Sequence, residues 1–202
     1  MKAGPGLLAL VVLSVSACSV KKPANTYDSC ELFDDKRKWY KYTRKSYRKW
    51  GTPIGVQLSF IYQESGFRHN AKAPRRKLLW VIPWKRKSSA FGYGQVVKRT
   101  WKTYKRETGR RWADRDEFKY VVDFIGWYND KSHRKLGIDK KDAYNLYLAY
   151  HEGHGGYARR SYRRKRWLMR AARQVQRRAR RYERQLRRCE SKLRRKRFLG
   201  IF

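Results

Sequence analysis

The alternation of apolar and polar positions along this 202-residue chain is helical over most of its length. Between Asp34 and Trp50 the aromatics Trp39, Tyr40, Tyr47 and Trp50 recur close to helical spacing, with Lys and Arg filling the other positions. Gly51-Thr52-Pro53 ends that helix. Thr52 followed by Pro53 suits the start of a second, which carries Ile54, Leu58, Ile61 and Tyr62 on its apolar face and stops at Gly66. Residues 67–89 lose the helical period. They hold Pro74 and Pro83 around the apolar run Leu78 to Ile82, which reads as a short strand or one arm of a hairpin.

The helical period returns after Ser88-Ser89-Ala90-Phe91-Gly92-Tyr93-Gly94, a turn-like stretch. A helix is predicted after Gln95, including Val96, Val97 and Trp101. Another spans 114–132, opening at Asp114 and carrying Phe118, Val121, Val122, Phe124, Ile125 and Tyr128. A further one starts at Asp139 or Asp142, shows Ala143, Leu146, Tyr147 and Tyr150 on one face, and ends at Gly153, Gly155 and Gly156. From about Arg163 to Lys196 runs a long basic helix. Its Leu168, Ala172, Val175, Ala179, Tyr182, Leu186, Cys189 and Leu193 form a narrow seam that either packs back on the body or pairs two chains as a coiled coil. The class is mainly α, and no internal repeat is visible.

Charge narrows the partners. Lys and Arg number 53 against 16 Asp and Glu, a formal net charge of +37. Such a chain seeks anionic polymers or lipid surfaces, with steep salt dependence. Compartment chooses among these. Lys2, the apolar stretch from Leu7 to Val15 and the small residues before Cys18 form an export signal too short to span a bilayer. Val15-Ser16-Ala17-Cys18 resembles a bacterial lipobox, so residues 1–17 read as a lipoprotein signal peptide and Cys18 as the lipidated residue. Ser19 in place of Asp favours the periplasmic face of the outer membrane over the inner membrane. Export argues against a nucleic-acid partner and permits disulfides. Cys30 and Cys189 then remain, and a bridge between them is predicted, with two separate buried thiols as the alternative. Residues 18–33 read as lipidated cysteine and tether.

Glu64 is the first candidate for chemistry. It follows Phe60 and Ile61 by one helical turn, on or beside the apolar face. Lost hydration raises a carboxyl pKa, as general-acid work near neutral pH requires. A surface glutamate paired with arginine fits that position equally well.

The neighbourhood of Glu64 resembles a known family. Glu64-Ser65-Gly66-Phe67 is similar to the Glu-Ser-x-Phe signature of soluble lytic transglycosylases, a branch of the goose-type lysozyme superfamily. Ala90-Phe91-Gly92-Tyr93-Gly94-Gln95 resembles that family's Ala-x-Gly-Leu-Met-Gln segment, and Ala149-Tyr150-His151-Glu152-Gly153 its Ala-Tyr-Asn-x-Gly motif. The motifs occur in the family's order across roughly residues 53–157, and lipoproteins identified as transglycosylase-like share the longer strings around Glu64 and Tyr150. The resemblance implies a lysozyme-like domain over 34–158, with 159–202 as an added basic helix packed on it. It implies peptidoglycan glycan strands as substrate and no cofactor. It makes Glu64 the acid/base, with Ser65, Tyr93, Gln95, Tyr150 and His151 as substrate-side residues and Tyr150 as a hydrogen-bond partner of the acid. His151 stands where the family has Asn, and the loop before Gln95 is longer than usual.

Other readings accompany these. Ordinary glycosidases use two carboxylates. Glu152 or Asp123 in the second role would make the chain an inverting hydrolase. A non-catalytic wall-binding lipoprotein would also explain His151. His151-Glu152-Gly153-His154 is one residue short of the zinc-protease motif and runs into glycines, so no metal is expected. Trp80, Trp84 and Trp127 are read chiefly as core, whereas Tyr93, next to Gln95, is the aromatic expected to meet sugar. The basic helix either grips anionic wall or lipid or is a solvated face.

Overall fold

A computed structural model describes residues 20–73, 75–78, 82–86 and 88–195. The expected signal segment, Cys18, Trp80 and the residues after 195 lie outside it. Helix α1 (Ser29–Asp35) is capped by Asp28, whose carboxylate accepts from the amides of Cys30 and Glu31. There follow α2 (Arg37–Trp50), α3 (Ile54–Ser65), strands β1 (Arg75–Leu78) and β2 (Ile82–Arg86), α4 (Lys98–Thr108), α5 (Phe118–Leu136) and α6 (Ala143–Ala158). A short 3₁₀ turn (Ser161–Arg164) leads into α7 (Arg166–Arg195). The mainly α class expected from the periodicity is the class observed. Of the apolar run at 78–82, Leu78 and Ile82 pair across the antiparallel strands β1 and β2, and residues 79–81 lie outside the described residues.

Helix α3 is the centre of the molecule. Every residue from Ile54 to Ile61 is buried, so its apolar surface goes all the way round rather than along one stripe. Most of its buried polar groups are paired: Gln57 donates to the carbonyls of Thr43 and Thr52, and Ser59 to that of Val56, while Gln57 Oε1 is buried without a partner. Helices α2, α5 and α7 pack around it. At α7 the fit is close, because a Cβ on Gly55 would lie 2.6 Å from the Ala179 carbonyl oxygen. The Gly55 amide donates to Glu183 of α7.

The seam of α7 is buried within its own chain, from Leu168 through Tyr182 to Leu193, so it is not available for a coiled-coil partner. The long basic helix therefore contributes to the core along its whole length, with most of its arginines outward and Arg178 and Arg181 half-buried over the rings of Tyr62 and Tyr27. Its far end is pinned to the start of the chain. Cys30 and Cys189 form a disulfide, Ser29 donates to the Tyr182 carbonyl, and Tyr182 donates to that of Thr26.

These contacts correct the expected tether over 18–33. Leu32 and Phe33 are fully buried and Thr26 nearly so, hence the chain joins the body well before Asp34. Other boundaries move less. Lys36 breaks the first predicted helix into α1 and α2. Helix α5 begins at Phe118, since Asp114 lies in the preceding turn. Of the two candidate caps, Asp142 accepts from the Asn145 amide and starts α6. Gly153, at φ 75° and ψ 160°, kinks α6 without ending it.

Candidate active site

Glu64 sits in the last turn of α3, just before Gly66 takes the left-handed conformation that stops the helix. It is half-buried, and aromatic residues crowd its carboxyl. Tyr147 of α6 donates to Glu64 Oε1 at 2.8 Å. The Phe60 ring meets both Tyr147 and Tyr150 edge to face, with centroids at 5.3 and 5.2 Å. Burial pushes the Glu64 carboxyl up to about 7, against the opposing pull of the Tyr147 hydrogen bond. Both phenols are raised as well, chiefly by burial and then by the negative charge on Glu64. A carboxyl in this state holds its proton near neutral pH and can also give it up, as a general acid/base must.

Tyr147 is the partner that sequence reasoning missed. The motif drew attention to Tyr150, expected to bond the acid, but the Tyr150 hydroxyl donates to the Gly94 carbonyl at 2.7 Å. Tyr150 thereby ties α6 to the 92–95 turn while its ring walls the site. A usable signal existed: Tyr147 and Tyr150 are three apart on one helix face, so either can reach the same neighbour.

Three further expectations need correction. Ser65 is 4% exposed and its hydroxyl donates back to the Ile61 carbonyl, so it ties off the helix end rather than presenting a group to sugar. Tyr93 is 2% exposed and packs edge to face against Trp39 and Phe118; it is core, not a sugar platform. Gln95, at φ 47°, spends its amide donors on the carbonyls of Ala71 and Gly92. Its role in this structure is to hold together the two ends of the long loop that flanks the hairpin. Trp127 is core, as read.

Neither carboxylate considered as a second catalytic group is free to act as one. Asp123 is buried and accepts from Trp50, Tyr104 and Arg110, the last at 2.6 Å. Glu152 is held by Lys165, Ser161 and His151. Burial opposes its ionisation, but these donors prevail and keep it down at about 2. The histidines of the zinc-like string are also engaged apart. His151 turns to Glu152, while His154 stacks on Tyr128 and meets Ser132. No cluster of metal-binding side chains is present among the described residues.

The sequence matches the family model described as transglycosylase SLT domain over residues 6–189. The chain belongs to that family. Membership implies, in general terms, a transglycosylase-type function directed at peptidoglycan. The match runs without a break through α7 as far as Cys189, so the basic helix and its bridge lie inside the family's span. No curated protein matches the chain.

Proposed function

We propose that this SLT-domain chain is a peptidoglycan lytic transglycosylase with Glu64 as its sole acid/base. The carrying observation is the contrast among carboxyls: Glu64 titrates at about 7 beside Tyr147, while Glu152 and Asp123 are each spent on three partners. A protonated Glu64 gives its proton to the glycosidic oxygen between N-acetylmuramic acid and N-acetylglucosamine, and the C1–O bond breaks. The carboxylate so formed accepts the proton of the muramic C6 hydroxyl as O6 bonds to C1. The 1,6-anhydro ring closes and Glu64 is protonated again. Because the nucleophile belongs to the substrate, no second carboxylate is required, unlike the two-carboxylate hydrolases. Tyr147 steadies the carboxylate stage and the surrounding aromatic rings keep water from competing.

Mass spectrometry of the muropeptides released from purified sacculi tests the reaction. Anhydro-muramic ends are expected, and reducing ends throughout would make the chain a hydrolase. Glu64→Gln is expected to abolish release, and undiminished cleavage would remove its catalytic role. The same reading places the chain outside the cytoplasm, anchored by lipid at Cys18 to the outer membrane. Among the described residues no helix is long and apolar enough to cross a membrane. Incorporation of labelled palmitate that Cys18→Ala abolishes is the expected result.

A further inference from the structure

The string His151-Glu152-Gly153-His154 has no part in the chemistry above, yet Glu152 within it is held by three partners. Its side chain is 4% exposed and joins Lys165, Ser161 and His151 across the junction between α6 and α7. A buried, fully partnered carboxylate fixes geometry. Here it fixes the backbone just before α7 and the imidazole of His151. Two rings are displayed as a result. His151 is exposed, and Trp167 is 52% exposed, in a molecule whose other large aromatics are mostly buried. Their centroids lie 5.1 Å apart at 79°, edge against face, which leaves much of the indole open.

Their placement follows from the helix pairing. His151 is one turn beyond Tyr147, on the face of α6 that holds Glu64. Helix α7 runs antiparallel to α6, with Gln176 accepting from the Tyr144 amide and Trp167 beside His151. It meets α3 where Arg178 donates to Gln63. Trp167 is eleven residues before Arg178, ~16 Å along the axis, while α3 stops at Ser65. The α6–α7 pair therefore projects past the end of the catalytic helix, and His151 and Trp167 stand on that projection.

We propose that Trp167, set by the Glu152 brace and paired with His151, is a glycan-binding platform a few sugar rings from Glu64. It stacks on the carbohydrate chain of the substrate and confers a preference for long strands. Sugar rings present C–H faces to aromatic rings, and a large exposed indole beside a polar ring suits them. The proposal rests on the reading of the site as glycan-cleaving, so the test separates binding from cleavage.

Full-length Glu64→Gln protein is titrated with soluble glycan strands freed of stem peptides, in enough salt to suppress unspecific cationic adhesion. Adding Trp167→Ala is expected to weaken binding about tenfold with an unchanged melting temperature. Trp167→Phe should retain most of the affinity, and Trp112→Ala, at an indole 88% exposed elsewhere, should retain all of it. With Glu64 intact, Trp167→Ala should raise KM on long strands and leave kcat in place. Affinity within twofold of the parent in the Trp167→Ala protein overturns this proposal alone. Absence of any glycan affinity in the parent overturns it together with the proposed function.

Discussion

At Glu64, two opposing effects set the working range. Burial raises the carboxyl to about 7 and the Tyr147 hydroxyl lowers it. In the proposed reaction Glu64 starts as the acid and must be protonated, so cleavage should hold below about 7 and fall as pH rises through that value. Tyr147→Phe removes the lowering contact. The falling limb of kcat/KM should therefore move to higher pH, and a limb that stays or moves down contradicts the assignment. The same titration has a stability consequence of fixed sign. Folded Glu64 binds its proton more tightly than the unfolded chain does, so its ionisation costs stability as pH rises from about 4.5 to about 7. Glu64→Gln should stabilise the protein at pH 8 by ~2–3 kcal/mol and leave it nearly unchanged at pH 4, as thermal melts at the two pH values will show. That Glu64 is partly buried at the end of its helix was legible from its apolar neighbours. That Tyr147 holds it was not, because a motif names residues without saying which hydroxyl a kinked helix turns inward. Tyr93 and Ser65 failed as predicted sugar contacts for a related reason: a sequence string does not distinguish a loop side chain that faces the groove from one that fills the core behind it.

At the scale of elements, α3 positions Glu64, the proposed acid, and α7 packs against α3. Periodicity predicted both helices to within a few residues, since a continuous apolar face is a strong local signal. It could not predict where they touch, which depends on a residue with no side chain. A Cβ on Gly55 would lie 2.6 Å from the Ala179 carbonyl oxygen and 2.8 Å from Glu183 Cγ. The first is backbone and cannot swing away. Gly55→Ala should therefore force α3 and α7 apart despite alanine's better helix propensity, with a net loss of ~1–3 kcal/mol. Catalytic activity should fall more than the melting temperature suggests, because the displaced helix carries Glu64. A variant as stable and as active as the parent would show that α7 does not set the position of α3. The break at Lys36 was invisible for the opposite reason. Nothing in the local composition marks it, and it follows from α1 turning to pack on α7.

At the scale of the whole molecule, a net charge of +37 opposes compactness, and α7 carries much of it next to the basic α2. Hydrophobic burial of the α7 seam holds the helix down, while the Cys30–Cys189 bridge holds its far end to α1 across 159 residues of sequence. On the chain-entropy account a crosslink over so long a loop contributes up to about 5 kcal/mol. The bridge ties α7 to the acidic α1, where Arg188 meets Asp28 and Lys192 meets Asp34. But the same end of α7 lies beside the basic α2, so losing the bridge leaves repulsion from α2 free to lift the helix end. Reduced protein, or the double variant Cys30→Ser with Cys189→Ser, should melt ~5–15 °C lower at low ionic strength. Salt shortens the Debye length to about 8 Å near 0.15 M and weakens repulsion between exposed cations. Raising salt should therefore recover more of the melting temperature in the variant than in the oxidised parent. A loss independent of salt would mean that the bridge acts through chain entropy alone and that the cationic faces of α2 and α7 are already separated by solvent. Because α7 buttresses α3, the bridge also bears on the acid: in low salt the reduced protein should lose activity before it loses helix content, as parallel activity and circular-dichroism melts would reveal.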